Sequence, residues 1–302
     1  MRLALCILSL LAGTAAAQPA CTAAPGPLQA MICAEPAFRE AEQRLRGLER
    51  ALATTTTRPA TTQHRAGAWQ SGLAAPGTGQ PFTPEMLQAQ LDERIAEVEE
   101  TLRQDRAMPR QAMVRPPALD RLCLGTALRN CRVAATGLVI SEDGRARILW
   151  QSQRGFSEWD GTRAGIILLA EQRGGWRPIA WAFDGVSYEA PRLIPQEGGL
   201  LLAVPGRLGG SGDGNADLLL RLSPAGWREV ELESWMASLP ARLPAGLGIG
   251  QAVTYDFEAM RARTRLWRDT DANCCPTGGG ARLDFRIERD ALVLTEIRLD
   301  AP

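Results

Sequence analysis

The chain has 302 residues, no formal net charge and 45% apolar residues, enough for two modest cores. Balanced charge argues against an electrostatic nucleic-acid binder, which needs a basic surplus. All 34 basic residues are Arg; the absence of Lys removes lysine Schiff bases, lysine general bases and the P-loop lysine together.

The chain opens on Met1–Arg2, an apolar run from Leu3 to Leu11, and Ala15-Ala16-Ala17 followed by Gln18. This is the pattern of a secretory signal peptide over residues 1–17, too short to span a bilayer. No later segment approaches the roughly 20 apolar residues of a transmembrane helix. The expected location is therefore periplasmic or secreted, with no membrane span after cleavage. Of seven cysteines, Cys6 leaves with the leader. Cys21, Cys33, Cys123, Cys131, Cys274 and Cys275 remain, an even set that reads as disulfides in an oxidising compartment.

Residues 18–108 read as helical. Phe38, Ala41, Leu45, Leu48 and Leu52 recur at three and four, lining one helix face behind Pro36. Thr83 as cap, Pro84 at the first position and Glu85 in the first turn start a second helix. Its stripe is Leu87, Leu91, Ile95, Val98 and Leu102, and the two stripes are expected to bury one another. Between them, residues 54–83 are rich in Thr, Gly and Pro and read as a low-complexity loop, with Trp69 anchoring one turn. The only histidine, His64, falls in that stretch, and a loop does not hold a catalytic base in place. It is expected to be a solvated loop residue.

Pro109, Pro116 and Pro117 mark a Pro-rich linker over 109–118. From 119 to 302 short apolar runs alternate with tight turns. The pairs are Val133–Ile140 with Arg147–Gln151, Ile166–Ala170 with Trp176–Phe183, Leu218–Leu222 with Trp227–Leu232, and Leu283–Ile287 with Leu292–Leu299; Leu200–Val204 stands alone. These predict antiparallel hairpins. Ser234 is the expected cap of a short helix over Trp235–Leu239. Leu168-Leu169 precedes Gly175-Trp176-Arg177 as Leu219-Leu220 precedes Gly226-Trp227-Arg228, one hairpin solution used twice.

Adjacent Cys274 and Cys275 have Cα atoms about 3.8 Å apart, below the usual disulfide range. Cross-pairing with Cys123 and Cys131 is therefore favoured over a Cys123–Cys131 bridge plus a vicinal one; a vicinal bridge would suggest a redox or ligand-contact role. Asp213, Asn215 and Asp217, and separately Asp269 and Asp271, carry alternating oxygens of calcium-loop type, though Asp, Asn and Gly also simply make turns. No metal and no cofactor is expected. Seven of eight Trp lie beyond the linker and are expected mainly in the core; exposed ones would suit sugar stacking. Asp160, Asp184, Glu189 and Asp256 are the carboxylates that a glycoside hydrolase would need to pair, and nothing singles out a pair.

Cys21-x11-Cys33, the string Ile32-Cys33-Ala34-Glu35-Pro36-Ala37, the following helix with Leu45, Trp69 and then Arg94-Ile95-Ala96-Glu97-Val98 resemble the LprI-type lysozyme-inhibitor domain family over residues 20–105. A Cys21–Cys33 bridge would close a loop of about a dozen residues and stabilise a small helical hairpin by roughly 3 kcal/mol.

The expected architecture is thus α + β as separate domains: a disulfide-stapled helical hairpin, then an all-β antiparallel domain, sandwich or propeller-like. The leading function is non-enzymatic binding in the cell envelope. A lysozyme-type enzyme, as the resemblance implies, or a cell-wall glycan would be the partner. The alternatives are a carboxylate-dependent glycan hydrolase in the β domain and a structural envelope component.

Overall fold

The computed structural model describes residues 27–74, 83–115, 118–157, 161–197, 199–210, 214–249, 253–272 and 274–300. The expected leader, residues 1–17, and Cys21 lie outside them. Four helices come first: α1 (Pro27–Ala34), α2 (Pro36–Thr55), α3 (Pro59–Ala74) and α4 (Pro84–Arg106). The strands follow as β1 (Arg129–Ile140), β2 (Arg147–Phe156), β3 (Thr162–Gln172), β4 (Gly175–Ala182), β5 (Ser187–Tyr188), β6 (Arg192–Gln196), β7 (Gly199–Val204), β8 (Gly206–Arg207), β9 (Leu218–Ser223) and β10 (Gly226–Val230). A 3₁₀ helix, Ser234–Ala241, leads to β11 (Leu247–Gly248), β12 (Thr254–Asp256), β13 (Arg261–Arg265), β14 (Trp267–Arg268), β15 (Gly280–Glu288) and β16 (Ala291–Leu299). Among the described helices none is long and apolar enough to cross a membrane.

The two stripes read from the sequence pack as expected. Thr83 caps α4 by accepting the Met86 N–H, and Leu87, Leu91, Ile95, Val98 and Leu102 are buried against Phe38, Leu45 and Leu52 of α2.

The strands form three four-stranded antiparallel meanders, β1-β2-β3-β4, β6-β7-β9-β10 and β12-β13-β15-β16, with two short two-stranded pairs between them. They stack in chain order. Because side chains alternate faces along a strand, one strand feeds two cores. Ile166 and Leu168 of β3 meet Leu202, Val204, Leu218 and Leu220 of the second sheet. The opposite residues of that sheet, Leu201, Ala203, Leu219 and Val230, meet Leu283, Phe285, Leu292 and Leu294 of the third, with Trp235 closing the end. The middle sheet is therefore buried on both faces.

The outer face of the first sheet, Ile167, Leu169, Trp181 and Phe183, is covered by Met108, Leu124, Ala127 and Leu128. Two buried glutamines hold this cover. Gln151 accepts the Leu124 N–H at 2.7 Å and donates to Leu119 and Leu122 carbonyls, and Gln153 donates to the Leu124 carbonyl and to Gln151. They supply the backbone partners that a segment without strand pairing would otherwise lack.

Three expectations are corrected. The stretch read as a loop over 54–83 contains a 16-residue helix, α3. Within the expected linker, Met113 pairs with Trp176 at 2.8 Å in both directions, and the Arg110 guanidinium lies 4.8 Å from the Trp181 ring centre. Ser234 lies inside its 3₁₀ helix rather than capping it; the Glu231 carboxylate accepts the N–H groups of Glu233 and Ser234. Cys123 bridges Cys131, with Cα atoms 6.3 Å apart, and Cys274 bridges Cys275, in place of the expected cross-pairing. The first pair sits at the outer face of the first sheet and the second in the turn before β15 of the third, with a whole sheet between them.

Candidate functional site

α3 is the element that builds the site. It has no apolar stripe; Trp69 packs against the α2–α4 core, and the start of the helix docks by charge. Glu229 at the end of β10 accepts the Ala60 and Thr61 N–H groups at 3.0 and 3.3 Å, capping the helix from another element. Arg58 reaches Asp184 at 3.2 Å and Glu229 at 3.4 Å. Arg65, two turns on, bridges Asp184 at 3.2 Å and Glu233 at 2.6 Å. The arginines thus tie α3 to the loop after β4, to β10 and to the segment before the 3₁₀ helix.

A cleft of about 1450 Å³ runs between α3 and α4 on one side and the ends of the first two sheets on the other. Its walls include Thr57, Thr61, Arg65, Arg94, Glu97, Trp181, Asp184, Glu229, Glu233 and Tyr255. Burial would raise the Asp184 pKa, but Arg58 and Arg65 outweigh it and hold the carboxyl well below the usual range, helped by the Tyr188 hydroxyl at 2.7 Å. Glu233 is lowered too, its burial opposed by the fork from Arg65. Asp105 behaves oppositely. Burial raises it despite the Trp181 indole N–H at 2.5 Å.

His64 lies on α3, half-buried, with Glu231 and Glu233 beside it; one ligand atom from each of the three lies within 4.8 Å of the others. The expectation of a solvated loop histidine is corrected. No local signal pointed here, because both glutamates come from a segment about 170 residues further along.

Other expected site residues are not brought together. Asn215 donates to Asp217 and to the Val253 carbonyl and accepts the Val253 N–H, so it clips two segments of the β region. Asp271 accepts the Arg268 and Thr277 N–H groups and the Thr277 hydroxyl, which makes it a turn former. Asp269 is exposed, and Asp213 lies outside the described residues. Of the four carboxylates considered for hydrolysis, Asp184 lines the cleft, Glu189 and Asp256 are exposed elsewhere, and Asp160 lies outside the described residues. Trp150, Trp181 and Trp235 are buried and Trp176, Trp227 and Trp267 partly so; Trp159 is not described. Cys33 lies in the last turn of α1, and its expected partner Cys21 lies outside the described residues.

No protein-family model matches the chain, and no curated protein matches it.

Proposed function

We propose that this chain is an exported, non-enzymatic binding protein of the cell envelope that takes a cell-wall glycan segment into the cleft beneath α3. The observation that carries the reading is the cleft itself. It exceeds the roughly 300–1,000 Å³ of an ordinary small-molecule pocket, and its walls carry hydroxyl, guanidinium and carboxylate groups. Sugar hydroxyls suit such donors and acceptors, and the leader sequence supplies the compartment.

Asp184 suits binding better than acid catalysis. Asp184 stays ionised under its two arginines, so it has no proton to give at neutral pH. His64 faces two carboxylates. The LprI-type resemblance of the helical part fits the same class, because blocking a glycan-cleaving enzyme needs complementary shape and no reacting group.

The test uses the full chain from residue 18. Calorimetry with soluble peptidoglycan fragments should give saturable binding, with no reducing sugar released over hours. Turbidity of cell walls under lysozyme reports the enzyme-directed alternative. Binding of lysozyme without binding of glycan would move the partner to the enzyme. Sugar release by the purified chain would overturn the non-enzymatic reading.

A further inference from the structure

We propose that His64, Glu231 and Glu233 form a binding site for a divalent transition-metal ion of zinc type, independent of any glycan in the cleft. Three observations point the same way. The first is the donor set. One imidazole and two carboxylates come from two separate parts of the chain, with ligand atoms within 4.8 Å of one another. Zinc holds nitrogen and oxygen ligands at about 2.0–2.1 Å, which places them about 3.3 Å apart in a tetrahedron. Closing from the observed separation needs side-chain movements of roughly an ångström, well within rotamer adjustment.

The second is charge. Around the start of α3, Arg58 and Arg65 face Asp184, Glu229 and Glu233, so two formal positive charges meet three negative ones, and Glu231 adds a fourth carboxylate beside Glu233. The amides at the α3 start offset part of the Glu229 charge. Both Glu231 oxygens face only backbone N–H groups and no guanidinium, and this carboxylate is 3% exposed. A divalent ion would supply the missing positive charge where the surplus sits.

The third is the imidazole. His64 is the only histidine in 302 residues and hydrogen-bonds to no described residue. Its electrostatic partner is Glu233. Arg65 does compete for Glu233, but it holds Oε1 at 2.6 Å and Oε2 only at 3.2 Å, which leaves Oε2 the better placed for a metal. Three protein ligands beside an open cleft leave a fourth position for water or for an oxygen of a bound molecule. Mixed nitrogen and oxygen donors select zinc-type ions over calcium or magnesium, which take oxygen alone.

The uniqueness of His64 makes the test clean. The chain from residue 18, without an affinity tag and dialysed against a chelator, is titrated with Zn²⁺ by calorimetry and by NMR of its single imidazole ring. The expected result is about one equivalent bound, with the ring nitrogen resonances moving in step with occupancy. His64→Ala should weaken binding by more than about 100-fold, beyond the usual effect of losing an outer-shell partner. Glu233→Gln should weaken it as well, and Ca²⁺ should not displace Zn²⁺. Imidazole resonances that stay fixed through saturation overturn the proposal whether or not the variants fold. So does undiminished zinc binding in His64→Ala, or no binding at all by the unaltered chain.

Discussion

Glu229→Ala is the sharpest perturbation of the site, because one side chain performs two jobs for α3. Its carboxylate caps the helix through Ala60 and Thr61 and pairs with Arg58 at 3.4 Å. Loss of a side-chain cap costs about 1 kcal/mol. The pair is largely buried, with side-chain exposures of 15% and 7%, so it falls between the roughly 0–1 kcal/mol of surface pairs and the 3–5 kcal/mol of breaking a buried one. Arg58 keeps Asp184 as a partner, which places this contribution near the lower part of that range, about 1–2 kcal/mol. Together the loss is about 2–3 kcal/mol, spent mainly on the docking of α3. Amide exchange across 59–74, followed by mass spectrometry, should therefore speed up by roughly 30- to 150-fold, at 1.4 kcal/mol per tenfold. Glu229→Gln keeps an acceptor for the two amides and should recover about a third of the loss. Exchange within threefold of the unaltered chain in Glu229→Ala would refute the idea that this carboxylate secures the helix.

Further outcomes follow from the same geometry. Asp184 and Glu233 have folded pKa values below the usual carboxylate range, so their stabilisation is present above the unfolded values near 4 and is lost as pH falls through the folded ones. The melting temperature should fall steeply on that acid limb, and Arg65→Met should make the limb shallower. Asp105 has the opposite sign. Its raised pKa costs stability as pH climbs through the window above its unfolded value, so Asp105→Asn should leave the neutral-pH melting temperature equal or higher and flatten that slope. Leu168 is fully buried between the first two sheets, and Leu168→Ala should cost about 2–5 kcal/mol in urea denaturation. Replacing Cys123 and Cys131 together with Ser should cost about 2–3 kcal/mol, the loop-closure value for a separation of 8 residues.

Periodicity made the α2–α4 pair and the hairpins readable, because Leu87 through Leu102 and the runs around Leu168 and Leu219 bury what their spacing says they should. α3 was illegible for a physical reason. A helix held by Arg58, Arg65 and a cap from Glu229 has no apolar stripe to display, and its Thr- and Gly-containing sequence imitates a loop. The site inherits that obscurity, since His64 and Glu233 are joined only through the docking of this helix. The cysteines failed differently. Weighing the short reach between Cys274 and Cys275 against bridges to Cys123 and Cys131 requires knowing which sheets carry them, and that is a property of stacking, not of spacing.

The middle meander has a further consequence for how this chain can be cut or rearranged. Its strands touch a neighbour above and below, so no third of the β region is a detachable bead. A truncation ending after β11 would leave Leu201, Leu219 and Val230 facing water along one broad plane. Such a fragment should precipitate or pair with itself through that plane, and engineering of shorter versions has to begin at the outermost layer and supply a polar lid for whatever it uncovers.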